Sequence, residues 1–204
     1  MAAVHLVPNT STTPVTEEPP FRPRGRAPVT LRELGPDEFD VLDTVFAGLS
    51  DHSRYLRFHG ATPRLRGAVR RKLAAVDGRR HLAVAAFGPG GEPIGIARLI
   101  GPCGTKRSGA AAPEAVGSLR DAELAIEVVD TWQGRGVGRR LLAAVAVLGR
   151  EECYSRLVAD VLTENTGMRV LLASVLPILA VETDGHETTL TADLRAGTPA
   201  FVAA

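Results

Sequence analysis

The sequence predicts an α/β fold of the α+β kind, with a mixed central sheet of about seven strands flanked by helices. Three observations predict it. Segments with apolar residues at strand spacing alternate along the chain with segments at helical spacing. Apolar residues make up 45% of the 204, enough for a core, while aromatics at 4% leave Val, Leu, Ile and Ala to fill it. Glycine-rich and Asp-Gly turns punctuate the segments at hairpin positions.

From residue 1 to about Pro28, six prolines fall among Thr, Glu and Arg. No helix or strand period survives that density, so residues 1–28 read as a disordered arm. The domain spans 29–195, and 196–204 is a short tail. Val29 to Leu34 alternates as a strand should. Pro36-Asp37-Glu38 opens a helix with Phe39, Leu42, Val45 and Phe46 at helical spacing. Ser53 to Phe58 forms a second short helix, and Thr62-Pro63 starts a third that runs to about Val76. After Asp77-Gly78 the period changes. His81 to Phe87 and Pro93 to Ile100 are strands joined by Gly88-Pro89-Gly90-Gly91, a hairpin. Gly101 to Arg120, rich in Gly, Ala, Ser and Pro, is a long loop. Asp121 to Val129 is a strand, Gly136 to Arg150 a helix, Leu157 to Leu162 a strand and Thr166 to Val175 a helix. Ile178 to Glu182 and Glu187 to Leu194 close the domain as a hairpin across Asp184-Gly185.

Charge and composition exclude several function classes. Lys and Arg number 24 against 23 Asp and Glu, so bulk charge does not hold the chain to nucleic acid or to an anionic membrane. No apolar run approaches the roughly 18 residues of a membrane span. The start of the chain lacks a basic stretch followed by an apolar one, so it does not read as a secretory signal, and the expected location is cytoplasmic. Cys103 and Cys153 cannot build a disulfide framework. The five histidines are scattered without metal-ligand spacing, so no metal site is expected.

One segment carries chemistry. The strand Glu123-Leu124-Ala125-Ile126-Glu127-Val128-Val129 runs through Asp130-Thr131-Trp132 into Gln133-Gly134-Arg135-Gly136-Val137-Gly138-Arg139-Arg140, and then directly into an amphipathic helix. Glycines at alternate positions let backbone N–H groups approach a ligand closely. The helix N-terminus adds roughly half a positive charge, so the pair forms a phosphate cradle. A dinucleotide fingerprint would need its third glycine at Arg139, and a P-loop would need Lys-Ser or Lys-Thr where Arg139-Arg140 stand. Neither nucleotide motif fits.

Gln133-Gly134-Arg135-Gly136-Val137-Gly138 instead resembles the acetyl-coenzyme A motif of the GNAT superfamily, Gln/Arg-x-x-Gly-x-Gly/Ala. The order of elements from Val29 to Leu194 is similar to that fold, and Asn165 follows the next strand, where these enzymes often carry an Asn. Ser53-Arg54-Tyr55-Leu56-Arg57-Phe58 and Ala122-Glu123-Leu124-Ala125 resemble the matching segments of the Pat-like bacterial protein lysine acetyltransferases. The resemblance implies a sheet splayed between the motif strand and the next, with pantetheine in the gap. It implies pyrophosphate contacts from the backbone of Gly134 to Arg139, Val137 included, with charge from Arg135 and Arg139. It also implies backbone contacts to the pantetheine arm from Ile126, Val128 and Val129, with a free N–H near Val128 polarising the thioester carbonyl. Gln133 and Asn165 complete the implied coenzyme set.

The activity implied is acetyl-CoA-dependent N-acetyl transfer to a primary amine, a protein lysine or a small amine, with a protein lysine favoured. An acyl-CoA-binding module without catalysis is the alternative from another class. The amine must lose a proton before it attacks, so a base is required. Glu123, at the start of the motif strand, stands where several protein acetyltransferases of this superfamily carry their base. Glu127 shares its strand face and is the second candidate. Arg54, Tyr55 and Arg57 are expected on the acceptor side, which the first helices cap in this fold. There are departures. The Tyr that protonates the leaving thiolate in many small-molecule members corresponds to Leu172, and Leu176-Pro177 replaces the usual Gly-Phe. The implied assembly is a monomer or a homodimer.

Overall fold

The computed structural model describes residues 28–102 and 120–196. The arm before Pro28, most of the Gly101–Arg120 loop with Cys103, and the tail after residue 196 lie outside the described residues. Strand β1 is Thr30–Glu33, followed by helices α1 (Phe39–Ala47), α2 (Asp51–Phe58) and α3 (Gly67–Ala74). Strands β2 (His81–Phe87), β3 (Pro93–Ile100) and β4 (Asp121–Val128) lead into α4 (Val137–Glu151). Then come β5 (Arg156–Leu162), α5 (Thr166–Ala173), β6 (Ile178–Asp184) and β7 (Glu187–Asp193).

Local chemistry sets several boundaries. Ser50 caps α2 by accepting a hydrogen bond from the Ser53 N–H at 3.2 Å. Helix α3 begins at Gly67 rather than at Thr62-Pro63, and ends at Ala74 rather than Val76. The Thr62 hydroxyl donates back to the Gly60 carbonyl at 3.2 Å, so it does not cap a helix there. The hairpin between β6 and β7 turns at Gly185-His186, one residue beyond the expected Asp184-Gly185, because Asp184 still pairs with Glu187; Gly185 sits at φ 57°.

The seven strands form one mixed sheet in the order β1-β2-β3-β4-β5-β7-β6, with β7 inserted between β5 and β6. Helix α4 covers one face, where Leu141, Leu142 and Val145 meet Leu82, Val84, Leu99 and Leu124. The other face packs under α1 and α3, where Leu42, Val45 and Leu73 meet Ala83, Ala85 and Ile96.

The feature that makes a site is the pairing of β4 with β5. It is the parallel contact of the sheet among the described residues, and it extends only over Asp121↔Arg156, Ala122↔Leu157 and Glu123↔Val158. Past that point β4 stays paired with β3 as far as Val128, and β5 stays paired with β7 as far as Leu162↔Glu187. Each half of the sheet is internally satisfied while the two halves diverge. The closed end is held by Arg156, which forks onto Asp121 with two hydrogen bonds of 2.7 Å.

Candidate active site

A cleft of about 980 Å³ runs along the divergence. Its walls are β4 from Glu123 to Val128, the glycine segment, the ends of α2 and α5, and parts of β5 and β7. The backbone of β4 presents free groups to it. The Val129 N–H donates to the Ile94 carbonyl at 2.9 Å, so Val129 turns its amide toward β3. Strand alternation then turns the N–H groups of Val128 and Ile126 the other way, into the gap. Gln133 donates to the Val128 carbonyl at 3.0 Å, tying off the acceptor and leaving the Val128 donor. Val129 departs from expectation. Its N–H is taken by Ile94 and its carbonyl accepts from the Trp132 N–H at 2.8 Å, so its backbone is spent inside the protein.

The turn from β4 to α4 is built for a closely approaching anion. Gly134 and Gly136 sit at φ 68° and 79°, where a Cβ is costly, and Gly136 caps α4. The first-turn N–H groups of α4 have no carbonyl one turn back to bind. Val137 buries its side chain in the core and so fixes where that turn points. Gly138 serves a different need. A Cβ there would stand 3.1 Å from Cδ2 of Leu171, so the glycine lets α5 close on α4 beside the cleft. These groups fit a pyrophosphate. Of the two arginines expected to add charge, Arg139 lines the cleft, whereas Arg135 lays its guanidinium over the Trp132 ring at 5.2 Å. Asn165 also lines the cleft while capping α5, its Oδ1 accepting from the Met168 N–H at 3.0 Å.

The two candidate bases differ sharply. Glu123 is exposed, lines the cleft at its narrow end, and makes no ion pair with a described residue. Glu127 is buried, its side chain 4% exposed, and is gripped from both sides by Arg98 of β3 and by Arg57 of α2, the latter at 2.8 Å. Burial alone would raise its pKa, but the two guanidinium groups outweigh burial and hold the carboxyl below its ordinary value. Both ion pairs tie the second candidate between β3 and α2, the arrangement of an anchor. Sequence periodicity places Glu127 correctly on the face of Glu123 but cannot show the arginines.

Glu127→Gln removes the charge that buried Arg98 and half-buried Arg57 face and should cost about 2 kcal/mol of stability, read from denaturant unfolding. Because the folded pKa is depressed, the stabilisation is present above the unfolded value near 4.3 and fades as pH falls through the folded one. The mutant's deficit should therefore shrink toward acid pH.

Of the three acceptor-side residues expected from α2, Arg57 lines the cleft. Arg54 turns under the helix onto the Phe46 ring at 4.6 Å, and Tyr55 lies outside the cleft. Leu172, at the place of the missing Tyr, is fully buried in the core. Sequence reasoning missed His59, Asp160 and Glu187, all of which line the cleft. His59 is the one of these with a local signal, since it ends a helix in the left-handed conformation that His tolerates better than most residues.

Comparison with known proteins agrees with this geometry. The GNAT domain of S. lividans PAT is 26% identical and superposes with a TM-score of 0.66, covering 85% of this chain and 99% of that one. An acetyltransferase of the GNAT family from Streptococcus pneumoniae shares the fold at 19% identity and a TM-score of 0.57, covering 81% of this chain and 98% of that one. So does yncA of Salmonella typhimurium, a protein solved with its cofactor acetyl-CoA, at 16% identity and a TM-score of 0.51, covering 81% and 92%. Residues 55–173, more than half of the chain, match the acetyltransferase (GNAT) family. No helix among the described residues is long and apolar enough to cross a membrane, and no group of side chains among them could hold a metal ion. The chain belongs to the acetyltransferase (GNAT) family.

Proposed function

We propose that this enzyme transfers the acetyl group of acetyl-CoA to a cationic primary amine, a protein lysine before a small amine, with Glu123 as general base. The observation that carries the reading is the divergence of β4 from β5, which turns the Ile126 and Val128 donors into a gap that ends at the glycine cradle. Acetyl-CoA bound there brings an activated acetyl carbon; the rest is the work of this chain. The Val128 N–H holds the carbonyl oxygen and stabilises the negative charge that grows on it during attack. Glu123 takes the proton that keeps an ammonium from attacking.

Charge supports the acceptor class. Glu123, Asp160 and Glu187 bring carboxylates to the cleft from β4, β5 and β7. Such walls favour an approaching ammonium and disfavour an acidic acceptor. The likeness to the GNAT domain of S. lividans PAT and the Pat-like segments of α2 and β4 favour a protein lysine. Catalysis is assigned to residues 29–195, so removing residues 1–28 should leave turnover and stability unchanged.

The test is thiol release from acetyl-CoA with lysine peptides whose flanking residues are basic, neutral or acidic, beside a panel of small amines. The expected order of kcat/KM is basic, neutral, acidic, with differences that shrink as salt is raised. Equal rates for all three, or higher rates with small uncharged amines, would remove the protein-lysine reading.

A further inference from the structure

We infer that His59, oriented by Glu187, is the general acid that protonates the departing thiolate. This rests on the transferase reading of the cleft and fills the place left empty by the missing Tyr. His59 ends α2 at φ 55°, and its Nδ1 lies 3.0 Å from Oε1 of Glu187 on β7. An ionised carboxylate can only accept, so Nδ1 carries the proton of that hydrogen bond. The Nδ1 contact is the one side-chain hydrogen bond of His59 among the described residues, which leaves Nε2 as the atom that can load and deliver a proton.

Register puts this pair at the right height. Glu123 stands opposite Val158 at the closed end, so four residues on, Glu127 is level with Leu162, which pairs with Glu187. The Ile126 and Val128 donors that hold the carbonyl flank that level. Helix α2 also straddles the gap there, with Arg57 bound to Glu127 on one arm and His59 to Glu187 on the other. The charged groups that line the cleft with His59 are Glu187, Asp160 of β5, Glu123 and Glu127 of β4, Arg57 and Arg139.

The proton account closes. The acceptor ammonium loses one proton through Glu123 to water, and its nitrogen then bonds to the acetyl carbon. The C–S bond breaks with its electron pair on sulfur, and the Nε2 proton of imidazolium His59 moves to that sulfur. The nitrogen sheds its second proton to water as the amide forms, and His59 regains a proton from water. One proton is released overall.

The test is His59→Asn, because Asn tolerates the left-handed backbone but cannot donate an acidic proton. Thiol release from acetyl-CoA is followed across pH with polylysine as acceptor and with water alone. The expected result is a kcat lower by about 10²-fold, the lower end for general acid catalysis since a thiolate is a fair leaving group. Added imidazole should restore part of the loss, and acetyl-CoA affinity should be unchanged. Glu187→Gln, which keeps the imidazole but loosens its hold, should lose less, and it carries the test if His59→Asn fails to fold. Normal kcat at every pH in a folded variant, or a loss that imidazole does not relieve, overturns the assignment. In that event a Glu123→Gln variant that is still inactive leaves the base reading standing. A wild-type protein that releases no thiol with either acceptor overturns both.

Discussion

Replacing Glu123 with glutamine should lower kcat/KM by about 10²–10⁴, the usual worth of a general base, while acetyl-CoA affinity stays where it was. The amide keeps the shape of the side chain but cannot take a proton at working pH. Glu123 stands at the narrow end of the cleft, away from the glycine cradle, so coenzyme binding has no reason to change. Raising the pH should recover part of the lost rate, because more of the acceptor is then already a free amine. Glu127→Gln is the control on the same strand face. Its carboxylate is held by Arg98 and Arg57, so its loss should appear in unfolding rather than in the pH dependence of turnover. A Glu123→Gln protein with normal turnover would remove Glu123 from the chemistry.

Gly136→Asp should abolish acetyl-CoA binding while leaving a folded domain. Two effects compete at this position, and magnitude decides between them. An aspartate at φ 79° costs about 1 kcal/mol in backbone strain, a modest loss of stability that Asp tolerates better than most residues. Its carboxylate would face the pyrophosphate at the start of α4. Two unit charges about 5 Å apart repel by about 3 kcal/mol at an effective dielectric near 20, or about 10²-fold in affinity for one pair alone. Calorimetric titration together with thermal unfolding separates the two. Unchanged affinity with a lowered Tm would mean that the glycine serves only the turn.

Local patterns carried the sequence reading furthest. The run from β4 through the glycines into α4 is legible because the period switches from two to 3.6 across a few residues, and the last hairpin because Asp184-Gly185 marks its turn to within one residue. Helix α3 is shorter than the pattern suggests, because Thr62-Pro63 looks like a helix start whereas the Thr62 hydroxyl bonds back to Gly60. The sequence does not show that the Val129 backbone turns away from the ligand, because the exact register of β4 on β3, which turns its N–H to Ile94, is a tertiary fact. The surroundings of Glu127 could not be read at all. Arg98 and Arg57 are 29 and 70 residues away, and Glu187 is 128 residues from His59. Pairings so distant emerge only once the sheet brings its strands together.

The central claim is that the gap between β4 and β5 receives the pantetheine arm while the start of α4 receives the pyrophosphate. Amide hydrogen exchange with and without acetyl-CoA tests it residue by residue. Protection should rise at Ile126 and Val128, whose N–H groups face the gap, and across Gly134 to Arg139, while Val129, already bonded to Ile94, should change little. Protection that rises elsewhere while these amides exchange as before would contradict the account.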